Sequence, residues 1–87
     1  MARYRILIQE SAVKEIERIP NRKDRRRVIA RIQGLADEAR PLGCEKLSGR
    51  ERYRVRQGVY RILDSILDDE LLVHVVKAGH RRDAYRQ

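Results

Sequence analysis

Phenylalanine and tryptophan are absent from this 87-residue sequence, and four tyrosines supply all the aromatic content. Isoleucine, leucine and valine must therefore build the core. A single cysteine, Cys44, rules out an internal disulfide; with only two histidines, His74 and His80, it also rules out a zinc-type cluster. Cys44 reads as a small hydrophobe in a connecting loop, and no carboxylate cluster offers to hold a metal. No internal repeat, low-complexity tract or linker interrupts the chain, and at this length residues 1–87 are expected to form one domain. Long apolar runs are missing too. Ile6-Leu7-Ile8 lies between Arg5 and Gln9 and is too short for the core of a leader peptide. No stretch approaches the roughly 18 apolar residues of a membrane span. The expectation is a cytoplasmic, reduced protein without a membrane partner.

What is abundant is positive charge. Lysine and arginine number 21 against 13 acidic residues, a formal net charge of +8. A basic domain of this size expects a polyanion or an acidic protein as partner. Arginine dominates over lysine, which favours planar, bidentate contacts with phosphate over mere solubility.

Tyr4 to Gln9 reads as a first strand. Ser11 is the expected N-cap of a helix carrying Val13, Ile16 and Ile19, ended by Pro20. After Asn21 a longer helix shows Val28, Ile29, Ile32, Leu35, Ala36 and Ala39 as one apolar stripe, closed by Pro41 and Gly43. Its opposite face carries Arg22, Lys23, Arg25, Arg26, Arg27 and Arg31. The loop RPLGCEKLSG leads to a hairpin, RYRVRQ and VYRILDSIL, turning at Gln57-Gly58. A last strand, ELLVHVVKA, precedes a polar tail from Gly79 onward. The pattern predicts an α+β fold, β-α-α-β-β-β, with two helices packed on a small antiparallel sheet and a short helical tail.

A two-residue turn at Gln57-Gly58 pairs Arg54 with Arg61, Val55 with Tyr60 and Tyr53 with Ile62. Alternation then sends Tyr53, Val55, Tyr60 and Ile62 to the core and Arg52, Arg54, Arg56 and Arg61 to the other face. Converging guanidiniums repel unless an anion lies between them, and their forks suit a phosphodiester and the dianionic state of its cleavage. Arginine cannot exchange protons near neutrality. The tail supplies residue types that can: a histidine, His80, and Tyr85, a weaker acid whose phenolate neighbouring arginines favour. His74, within the last strand, reads as structural.

These segments, YRVRQGVYRIL followed by DDELLVHVVKAGHRRDAYR, resemble the RelE toxins of bacterial toxin–antitoxin modules over nearly the whole chain. The resemblance implies a ribosome-dependent endoribonuclease that cuts mRNA in the A site without metal or other cofactor. It also implies neutralisation by a cognate antitoxin, through whose complex alone operator DNA would be bound. Carried over by position, the catalytic set is Arg54, Arg56, Arg61, His80, Arg81 and Tyr85. Arg54 and Arg56 stand where well-known members have lysine, which confines them to electrostatics. Attack of a ribose 2′-OH on the adjacent phosphate would leave a 2′,3′-cyclic phosphate and a 5′-OH. Tyr85 is the base, His80 the acid, and Arg61 and Arg81 stabilise charge. Arg52, Lys46, Arg82, Arg25 and Arg26 are assigned to RNA binding, Arg52 as a bystander of the chemistry. Two rivals stand beside this reading: a ParE-like inhibitor of DNA gyrase on the same fold, and a non-catalytic basic module acting as nucleic-acid binder or co-repressor.

Overall fold

A computed structural model describes residues 3–47 and 52–80. The first strand, β1, spans Arg5–Ile8. Helix α1 spans Glu10–Glu17 and buries Ala12 and Ile16. Its N-cap is Gln9, two residues ahead of the expected Ser11; Gln9 donates to the Ser11 hydroxyl at 3.1 Å, and the cap itself has no side-chain hydrogen bond. The helix stops two residues short of Pro20, whose ring would displace the preceding turn. Helix α2 spans Arg22–Gly34; it starts after Asn21 as expected but ends well before Pro41 and Gly43, the expected close. Asn21 caps it by accepting from the Asp24 backbone N–H at 3.1 Å. The regular helix ends at Gly34, a weak helix former. Leu35, Ala36 and Ala39 continue the buried stripe through irregular turns, while Ile29 is 39% exposed.

The rest of the chain is sheet. A two-residue strand, β2, at Glu45–Lys46 emerges from the segment expected to be loop. Then come β3 (Arg52–Gln57), β4 (Tyr60–Leu67), a 3₁₀ turn at Asp68–Glu70 and β5 (Leu72–His80). The strand order is β1-β5-β4-β3-β2. The α+β class and element order match expectation, but the sheet is mixed, because β1 runs parallel to β5. Nearly the whole chain lies between these two strands, so the long connection that parallel pairing requires is already present. Flanked by β1 and β4, β5 is an inner strand, which accounts for its near-continuous apolar run.

The hairpin turns at Gly58-Val59, one residue later than expected. Gly58, at φ 61°, takes the first central position and Val59 keeps a negative φ, as a type II′ turn requires. Val55 therefore faces Ile62, Arg56 faces Arg61 and Gln57 faces Tyr60. Every partner has moved by two residues, and a shift of two preserves which side chains share a face. The last strand also extends further than expected, so that His80 is its final residue and Gly79 lies within it. A bulge beside Leu63/Asp64 places Val76 between the pairs Asp64–Val75 and Leu63–Lys77.

Both helices cover one face of this sheet. Val28, Ile32 and Leu35 from the helical half meet Val55, Ile62, Val73 and Val75, all buried. A polar clasp closes the layer at one end. The Arg40 guanidinium grips Asp68 with both amino groups (3.1 and 2.9 Å) and donates through Nε to the Tyr53 hydroxyl (3.2 Å). It also lies 5.0 Å over the Tyr53 ring, and the Tyr4 hydroxyl donates to Asp68 at 2.6 Å. These hydrogen bonds, Arg40 first and Tyr4 second, lower the Asp68 carboxyl to about 2. Two buried residues on β4 depart from the apolar pattern: Arg61, and Asp64, which is fully inaccessible.

Candidate functional site

Cross-strand pairs share a face of the sheet. The face opposite the helices therefore carries three rows that converge on β3. One row is Arg52, Ser65 and His74; the next is Glu45, Arg54 and Leu63; the third is Arg56, Arg61 and Gly79. Arg56 and Arg61 stand directly opposite each other, with side-chain-free Gly79 beyond. Like charges so placed destabilise a sheet, by about 0.2–1 kcal/mol relative to a neutral pair. The cluster is also partly withdrawn from water: Arg61 is 9% exposed, and the Arg54 side chain 13%. Guanidiniums fixed by strand geometry and poorly hydrated offer a strong site for an anion with several acceptor oxygens.

Sequence reasoning missed the carboxylate among them. Glu45 Oε2 lies 3.0 Å from Arg54 Nη2, and its Oε1 lies 3.5 Å from Arg56 Nη2. The available signal was weak, since two residues of strand inside a loop leave no periodicity to detect. Asp64 was missed as well. Neither of its carboxylate oxygens has a hydrogen-bond partner among the described residues, and burial pushes the group up to about 7 against the smaller, opposing pull of Arg40. It faces the core beside Tyr53 and takes no part in the open face.

The remaining candidates fall in several places. His80 was expected in the tail beside the arginine face. It instead ends β5 paired with Tyr60, its ring edge-on at 5.8 Å, on the helix side of the sheet. There it lines a cleft of about 490 Å³ with Glu15, Arg18, Ile19 and Pro20. Arg81, Arg82, Tyr85 and the expected helical tail lie outside the described residues. Arg25 and Arg26 ride on α2, across the molecule from the open face, and Lys46 pairs with Tyr53 on the helix side. Arg52 occupies the open face one row away from Arg54. His74 is half-buried in mid-strand, and Cys44 is half-buried against the core, its thiol raised by burial and then by the charge of Asp64.

No protein-family model matches the sequence, and no curated protein matches it either. Solved structures do. The toxin of an archaeal RelE–RelB complex from Pyrococcus horikoshii superposes with a TM-score of 0.80 at 27% identity, covering 100% of both chains. The chain has the fold of the RelE toxins. A substituted E. coli RelE in the free state gives 0.75 at 21% identity, covering 97% of this chain and 88% of that one. The RelB–RelE complex from Methanococcus jannaschii gives 0.70 at 24% identity, covering 91% and 94%. On this RelE fold the grouping of Arg54, Arg56 and Arg61 occupies the sheet face opposite the helices.

Proposed function

We propose that the chain is the toxin of a toxin–antitoxin pair and that it cleaves mRNA held in the ribosomal A site. The observation that carries this reading is the set of three arginines, Arg54, Arg56 and Arg61, on the sheet face opposite the helices of a RelE fold. The RelE–RelB complexes among its structural neighbours support a cognate antitoxin as partner. A net charge of +8 suits both an acidic antitoxin segment and RNA.

In the proposed reaction Arg54, Arg56 and Arg61 hold the scissile phosphate and stabilise the charge that accumulates as the 2′-OH attacks. Removing one such donor in a preorganised site typically lowers the rate by about 10²–10³. Arginine cannot move the proton, so the base is Tyr85 and Arg81 adds a further charge. His80 serves as acid only toward a leaving 5′-oxygen that passes the end of β5, since its ring lies on the helix side. The ribosome supplies alignment of the 2′-OH with the phosphate, worth up to about 7–11 kcal/mol of barrier. None of these steps calls on a metal.

Primer extension on cellular mRNA after brief induction tests the proposal. Discrete cuts within translated frames that vanish in Arg61→Ala support it. Growth arrest with intact mRNA and induction of DNA damage would replace it with gyrase inhibition.

A further inference from the structure

We propose that Glu45 is the resident counter-anion of the arginine cluster, occupying the place of a substrate phosphate that must displace it. This rests on the reading that Arg54 and Arg56 bind phosphate. The geometry is that of a bridging anion: one carboxylate oxygen goes to each arginine, 3.0 Å to Arg54 and 3.5 Å to Arg56. Carboxylate and phosphate present acceptor oxygens to a guanidinium in the same forked manner. Arg54, with its side chain 13% exposed, sits where a charge without a counter-ion is costly. Glu45 meets that need in the unloaded protein.

The same carboxylate is built to leave. Its side chain is 47% exposed, and it stands on the two-residue edge strand β2, whose register consists of Glu45–Arg54 and Lys46–Tyr53. Neither Glu45 nor Lys46 belongs to the buried core. Swinging Glu45 into water therefore breaks two ion pairs and disturbs no apolar packing. A backbone phosphate fixed in place by a larger assembly can take over both arginines at once. An untethered single strand must compete with an anion already in position. Glu45 thereby sets a threshold that discriminates against free RNA. As a general base the same residue would have to leave these arginines for the 2′-OH, whereas one oxygen accepts from Arg54 and the other is ion-paired with Arg56.

The test is binding of a short single-stranded RNA, 2′-O-methylated throughout so that it cannot be cleaved, followed by fluorescence anisotropy. Wild type, Glu45→Gln, Glu45→Ala, Arg54→Ala and the Glu45→Gln/Arg54→Ala double variant are compared, with Glu38→Gln on the helix side as the control for net charge. Both Glu45 variants are expected to bind about tenfold more tightly, with log K falling more steeply with log salt by about 0.7 for one further phosphate neutralised. Arg54→Ala in the Glu45→Gln background should abolish the gain. An equal gain in Glu38→Gln, or binding unchanged in both Glu45 variants while Arg54→Ala loses it, overturns the role of Glu45 alone. Binding insensitive to Arg54 in every background overturns the phosphate site as well. Loss of ribosome-dependent cleavage in Glu45→Gln with RNA binding unchanged overturns the counter-anion role in favour of a base.

Discussion

Replacing Asp64 with asparagine should make the protein more stable at pH 8 and flatten its dependence on pH. Asp64 is fully buried on β4, without a hydrogen-bond partner for either oxygen among the described residues, and its carboxyl is raised from 3.8 to about 7. The folded state therefore keeps a proton that the unfolded chain gives up above pH 3.8. Stability is greatest below that value and declines as pH rises towards 7, the opposite of a salt-bridged aspartate. A shift of about three units amounts to about 4 kcal/mol lost across the window. Asparagine removes the ionisation but leaves an amide to satisfy, at about 1–3 kcal/mol. The net expectation is about 1–3 kcal/mol of added stability at pH 8, and a loss of about 1–3 kcal/mol at pH 4, where the wild-type carboxyl is neutral. Urea unfolding followed by circular dichroism at pH 4, 6 and 8 measures both quantities. Parallel stability–pH curves for wild type and Asp64→Asn would refute the assignment of a neutral buried carboxyl.

Asn21→Ala should cost about 0.5–2 kcal/mol in the same urea assay, because the Asp24 N–H loses its acceptor. Gly58→Ala should destabilise by about 1–2 kcal/mol, since φ 61° disfavours a side chain, and amide exchange should show the loss concentrated in β3 and β4. Ile62→Ala, which empties a fully buried position between α2 and the sheet, should cost about 2–5 kcal/mol by thermal or urea unfolding. Tyr85→Phe should greatly reduce growth arrest on induction while Arg26→Ala, on the far side of the molecule, should leave it nearly intact; equal behaviour of the two would sink the site assignment.

How far the sequence reached can be seen residue by residue. The 3.6-residue stripe from Val28 to Ala39 is a local signal, and Val28, Ile32, Leu35, Ala36 and Ala39 are buried as read, although the regular helix ends at Gly34 and Ile29 is exposed. The alternation from Arg52 to Gln57 sorted arginines from core residues correctly even though the turn sits one residue later, because the pairing moved by an even number. What eluded the sequence depends on contacts between distant segments. Nothing in RILI reveals that β1 will run parallel to β5. Glu45 becomes the partner of Arg54 and Arg56 only once β2 adds to the sheet edge. Asp64 looks like an ordinary polar residue until the β4–β5 bulge and the helices enclose it. His80 was read as tail because Gly79 resembles a stop, whereas Gly79 continues the strand beside Arg61, and the strand's pleat then turns His80 to the helix side.

Arg54, Arg56 and Arg61 are proposed to handle RNA on the ribosome. The most direct measurement incubates purified protein with ribosomes programmed with a defined mRNA and analyses the ends formed. The expected result is a cut within the A-site codon, a 2′,3′-cyclic phosphate on the upstream fragment, no cut without ribosomes, and a loss of about 10²–10³ in rate for Arg54→Ala or Arg61→Ala. Intact mRNA with folded wild-type protein, or cleavage indifferent to both arginines, would contradict it.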